Sequence, residues 1–125
     1  MCIRDSRYAI LPHRGGWQDA GVVGQARAFA EPLIPAAGSG AFAEVDEPAL
    51  VLDSIKRAED SDAMILRLYE AHGGRGRARI RLNVPFSRAC RTDLLEGEGE
   101  DVPLAGDAIE IAYRPWELIT IALGV

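Results

Sequence analysis

The hexapeptide Arg77-Ala78-Arg79-Ile80-Arg81-Leu82 alternates strictly between a guanidinium and an apolar side chain. A period of two belongs to a β-strand, whose successive side chains leave on opposite faces; a helix would scatter the same residues around its circumference. One charged face and one apolar face require a sheet that covers a core on one side and meets water on the other. Other segments carry the same signal. Residues 49–55, with Ala49-Leu50-Val51-Leu52, and residues 63–71 read as strands, as do 108–113 and 117–123, where Ile119, Ile121 and Leu123 share a face. Turn chemistry separates them: the polar run Glu59-Asp60-Ser61-Asp62, Gly73-Gly74, an acidic loop over 96–101 after Leu94-Leu95, and Pro115.

The N-terminal part is less regular. Arg7-Tyr8-Ala9-Ile10-Leu11-Pro12-His13 reads as a short strand ended by Pro12. After Gly15-Gly16, the spacing of Val22, Val23, Ala26 and Phe29 predicts a short helix with Asp19 as its N-cap. Pro32, Pro35 and Gly38-Ser39-Gly40 mark a loop. Short strands divided by turns predict an all-β fold, an antiparallel β-sandwich with one short helix near the N-terminus.

A chain of 125 residues, 48% of them hydrophobic, is one ordinary domain able to bury a core without a disulfide or a structural metal. A net charge of −5 speaks against nucleic acid or an anionic membrane as partner. No apolar run approaches the ~18 residues of a membrane span. Cys2 and Cys90 set no disulfide framework, and a reduced, cytoplasmic chain is expected. Residues 1–6 have neither the apolar run nor the cleavage site of a signal peptide.

The sequence offers no self-contained catalytic set. His13 and His72 stand far apart without the paired spacing of zinc ligands. Glu59, Asp60, Asp62, Glu70 and Glu117 are the carboxylates that an acid/base pair would draw on. The run from Glu59 to Asp62 reads as a solvated turn, and Glu70 and Glu117 as buried partners of arginines such as Arg67 or Arg114. Ser54, Ser61 and Ser87 lack a nucleophile elbow, and neither Gly38-Ser39-Gly40 nor Gly73-Gly74-Arg75-Gly76 has the lysine of a phosphate loop. Arg75, Arg77, Arg79 and Arg81, with Arg88 and Arg91 beyond, form a basic strip without interleaved aromatics, which favours pairing with acidic neighbours or another domain over nucleic acid.

Four segments resemble, in order, the end of α-mannosidases of glycoside hydrolase family 38. They are Tyr8-Ala9-Ile10-Leu11-Pro12-His13 with Gly16-Trp17; Glu31-Pro32-Leu33; the passage from Val51-Leu52-Asp53-Ser54-Ile55-Lys56-Arg57-Ala58-Glu59-Asp60 into Ile65-Leu66-Arg67-Leu68-Tyr69-Glu70; and Arg114-Pro115-Trp116-Glu117-Leu118-Ile119-Thr120. The resemblance implies a large retaining hydrolase of terminal α-linked mannose, with zinc and an aspartate nucleophile in an N-terminal domain, then a helical bundle and C-terminal β-sandwich domains. Residues 7–125 resemble the last of these, and no position matches a zinc ligand or the nucleophile. The chain is therefore expected to be a non-catalytic C-terminal β domain. Its expected partners are the catalytic and helical domains of the same polypeptide, with an α-mannoside as the whole enzyme's substrate. Residues 1–6 match nothing in the family and are expected to be a non-native or disordered leader. The alternative is a free-standing carbohydrate-binding module, with Trp17, Tyr69 and Trp116 as stacking candidates. A sheet cut from a larger assembly is expected to show an unpaired strand edge and exposed apolar surface.

Overall fold

The computed structural model describes residues 6–31, 38 and 40–124, which fall into two compact units, Met1–Gly38 and Ser39–Val125. Most of the expected leader and the Pro32-Leu33 part of the resemblance lie outside the described residues.

The first unit holds helix α1 (Val22–Ala30), where the apolar spacing predicts it. Its N-cap is Gly21, not Asp19: the Gln25 N–H bonds the Gly21 carbonyl, so the helix begins two positions further on. Gly21 sits at φ 63°, a left-handed conformation that glycine adopts without a Cβ clash. Arg27 closes the helix with an ion pair to Glu31 at 3.0 Å. Residues 7–13 are not the expected strand. Among the described residues of this unit no strand offers them a ladder, and Tyr8 and Ile10 are 87% and 89% exposed. An extended segment without a partner leaves its N–H and C=O groups to water, and aromatic and branched residues alone do not change that. The segment runs beside α1 instead, and the Arg7 guanidinium lies 4.8 Å from the centre of the Phe29 ring.

The second unit is a sandwich of two antiparallel sheets. One has the order β1 (Ala43–Val45), β4 (Gly76–Leu82), β8 (Ala108–Tyr113), β7 (Leu104–Ala105). The other runs β2 (Leu50–Arg57), β3 (Met64–Glu70), β9 (Leu118–Gly124), β5 (Arg88–Thr92), β6 (Glu100–Asp101). The alternation in β4 works as the pattern requires: Ala78, Ile80 and Leu82 are buried while Arg77, Arg79 and Arg81 are exposed. Ile80, Ile109 and Ile111 of one sheet form a single core with Leu66, Leu68, Ile119, Ile121 and Leu123 of the other. Strand β5, which the sequence pattern does not announce, sits beside β9 with Ala89 opposite Leu123.

The chain changes sheets at two corners that matter below. Residues 71–75 carry it from β3 to β4, and residues 114–117 carry it back from β8 to β9. Pro115, with fixed φ and no N–H, stands in the second corner, as expected of a strand break that hands the chain between sheets. Among the described residues β2 pairs on one side only, with a register shift between Leu52 and Ser54. Leu95 (89%), Trp116 (66%) and Leu118 (64%) are the most exposed large apolar side chains of this unit.

Two substitutions on neighbouring residues of β4 test the packing. Ile80→Ala, at a side chain with no exposure, is expected to lower unfolding free energy by roughly 2–5 kcal/mol. Arg79→Gln, on the water face, is expected to change it by less than about 1 kcal/mol. Denaturant titration of both against the parent checks the contrast.

Candidate functional site

Polar groups from the end of β3 and from residues 114–117 meet at the sheet-crossing corners. Glu70 ends β3 with its side chain turned inward, and it is 2% exposed. Its carboxylate accepts backbone N–H bonds from His72 (2.9 Å), Gly73 (2.8 Å) and Gly74 (3.1 Å) of the first corner. It also accepts one from Trp116 (2.9 Å) of the second. Burial works to raise the Glu70 pKa, but the hydrogen bonds from Trp116, Gly74, His72 and Gly73 together outweigh it and hold the group below the ordinary glutamate value. It is an ionised acceptor with its lone pairs taken up by backbone donors, which suits a structural tie and not a proton donor.

The arginine partner expected for Glu70 is thus corrected, whereas Glu117 does pair with an arginine, Arg91 of β5. Glu70 has backbone partners instead of Arg67 or Arg114, because at the strand end four loop N–H groups need an acceptor and the carboxylate is the group within reach. Glu117 pairs with Arg91 at 2.9 Å and accepts the Arg114 backbone N–H at 2.8 Å. Arg91 comes from β5, and its other terminal nitrogen donates to the Ala112 carbonyl of β8 at 2.8 Å, bridging the two sheets. Two features let the corners close. Gly73 takes φ 77°, and a Cβ there would stand 2.7 Å from the Trp116 indole, so the ring lies directly over it. Trp116 itself holds φ 60°, a conformation that a non-glycine residue keeps only where its surroundings fix it.

A second carboxylate organises the opposite end of β3. Glu96 (φ 63°, side chain 7% exposed) receives Lys56 at 2.7 Å and Arg67 at 3.2 Å, and accepts the Glu59 backbone N–H at 3.0 Å. Lys56 also meets Glu59 at 2.6 Å. The hydrogen bond from Lys56 first, then that from the Glu59 N–H, holds the Glu96 pKa below its usual value. The family-like Lys56, Glu59 and Arg67 therefore clamp the 93–97 turn, whose Asp93 accepts the Leu95 and Gly97 N–H groups.

The other candidates lie apart. Asp62 pairs with Arg57 at an exposed turn. Among the described residues no three His, Cys, Asp or Glu side chains are placed to hold a metal ion, and His13 and His72 belong to different units. The Cys90 thiol, pushed up in pKa by burial and by Asp101, donates to Asp101 at 3.2 Å. On the arginine face, Arg81 meets Glu44 and Asp107, each at 3.6 Å, and Arg79 reaches Asp107 at 4.0 Å, the acidic pairing expected of this strip. Of the aromatic candidates, Trp116 is exposed at the corner, Tyr69 is half-buried on β3, and Trp17 lies in the first unit. No helix among the described residues is long and apolar enough to cross a membrane.

Residues 49–121 match the glycosyl hydrolases family 38 C-terminal beta sandwich domain, and the chain belongs to that family. It is 34% identical to alpha-mannosidase 2C1 of Homo sapiens over 129 aligned positions, which cover 93% of this chain and 12% of that protein. It is 31% identical to alpha-mannosidase G of Dictyostelium discoideum over 126 positions, covering 90% of this chain and again 12% of the relative. The chain thus spans about an eighth of the length of these relatives.

Glu70→Gln, which turns an amide NH₂ toward backbone donors, is expected to cost roughly 2–4 kcal/mol of stability. The folded pKa of Glu70 lies below its unfolded value, so the stabilisation is full above that value and is lost as pH falls through the folded one. Thermal melts between neutral pH and about pH 3 should therefore fall more steeply for the parent than for Glu70→Gln. A parallel fall in both proteins counts against the tie.

Proposed function

We propose that the chain is a non-catalytic C-terminal β domain of a zinc-dependent retaining α-mannosidase, acting as a rigid scaffold for catalytic and helical domains encoded elsewhere in a longer polypeptide. The observation that carries this reading is the family match over residues 49–121 together with relatives named alpha-mannosidase. The geometry supports the scaffold role. Glu70 and Glu117, in the resembling segments, and Glu96 outside them are bound to backbone N–H groups or basic side chains of this same unit. Zinc belongs to the catalytic domain in this proposal, and the described residues do not converge on a site that fits it. Trp116 and Leu118, exposed beside the second corner, are the apolar surface that a neighbouring domain would cover. A cytoplasmic location is part of the proposal and is supported by the free Cys90 thiol.

The purified chain, supplied with zinc, is expected to give no turnover of an aryl α-mannoside. Adding it to human alpha-mannosidase 2C1 lacking the eighth that aligns with this chain is expected to restore hydrolysis, and Trp116→Ala is expected to weaken that complementation about tenfold. Turnover by the chain alone overturns the scaffold reading. Saturable mannose binding by the chain, without complementation, favours the carbohydrate-binding module.

A further inference from the structure

The arginines of β4 and of the corner just before it fall into two groups that differ in electrostatic compensation. Arg79 and Arg81 are met by Asp107 and Glu44, while Arg75 and Arg77 form no ion pair among the described residues. The shortage is not one of acids, since the chain has 19 acidic residues against 14 basic ones. Arg75 and Arg114 are the residues that adjoin the last pair of the β4–β8 ladder, Gly76 opposite Tyr113, and both line the same depression as Arg77. Arg114 also has no acidic side-chain partner within 4.0 Å among the described residues; its backbone N–H is taken by Glu117. Two like charges adjacent across strands repel each other, and a third on the same face adds to the effect.

Arg75, Arg77 and Arg114 line one solvent-facing depression of about 510 Å³, together with Gly76, Ala112, Tyr113 and Pro115. Small residues between the arginines leave its floor low, and the backbone beneath is fixed by the β4–β8 ladder on one side and by Pro115 on the other. Exposed arginines gathered around one depression can offer forked hydrogen bonds to phosphate or carboxylate oxygens.

We propose that the Arg75–Arg77–Arg114 depression is a binding site for a small oxyanion-bearing ligand, a phosphate or a carboxylate, whose negative charge supplies the compensation missing from the protein. The assignment does not depend on the mannosidase reading and stands or falls separately from it. Two sources of the group are separable: free inorganic phosphate, and a hexose phosphate whose ring rests on Ala112 and Pro115.

Arginine side-chain N–H resonances of the whole chain, followed while inorganic phosphate and then a hexose 6-phosphate are titrated, test the site. Saturable shifts confined to Arg75, Arg77 and Arg114 are expected, with Arg57 and Arg88, which have acidic partners, unmoved. Arg77→Gln is expected to weaken phosphate binding about tenfold. Arg75→Gln gives a second readout: relief of the opposed charges should raise the melting temperature without phosphate and shrink its rise with phosphate. Tighter binding of the hexose phosphate supports a sugar-borne group, and equal binding supports the oxyanion alone. Absence of saturation, or equal shifts at every arginine, overturns the proposal.

Discussion

The sandwich depends on a single ionised carboxylate at the point where the chain twice changes sheets. Sheet-crossing corners are costly because their backbone N–H groups leave the ladders, and those of His72, Gly73, Gly74 and Trp116 all face inward at one end of the core. Glu70 gathers all four, so the β3–β4 and β8–β9 corners are held by one group instead of separate caps. Glu117 and Arg91 brace the same end from outside, with Arg91 reaching across to β8. These bonds join the two sheets at one end of the core that the isoleucines and leucines fill.

The fold was readable wherever side-chain period and burial coincide. Arg77 to Leu82 alternates in sequence and in exposure, Ile119, Ile121 and Leu123 share the inner face, and Pro115 marks a change of sheet. Strand β5 was not readable: Arg88-Ala89-Cys90-Arg91-Thr92 mixes one buried alanine with polar side chains and owes its place to β9. Residues 7–13 show the converse, a strand-like composition without a partner strand among the described residues.

The corner site was legible in its residues and not in its bonds. The Leu68-Tyr69-Glu70 and Trp116-Glu117 segments stand out, and Gly73-Gly74 announces a turn. Arginines were the natural partners to expect for a buried glutamate. Its actual partners are backbone donors, which every residue but proline carries and no sequence pattern distinguishes. The Lys56–Glu96 and Arg67–Glu96 contacts were hidden for a different reason, since they join positions 40 and 29 apart through a turn whose φ of 63° at Glu96 has no signature in a glutamate.

The position of β9 carries a consequence for how such a chain is made. This last strand in sequence lies in the middle of its sheet, between β3 and β5, and pairs Met64 with Leu123. Until it emerges from the ribosome, two half-sheets wait with their inner edges bare. The five-stranded sheet therefore joins its two halves only through a long-range pairing made after β9 is synthesised, whereas the other sheet needs nothing beyond β8.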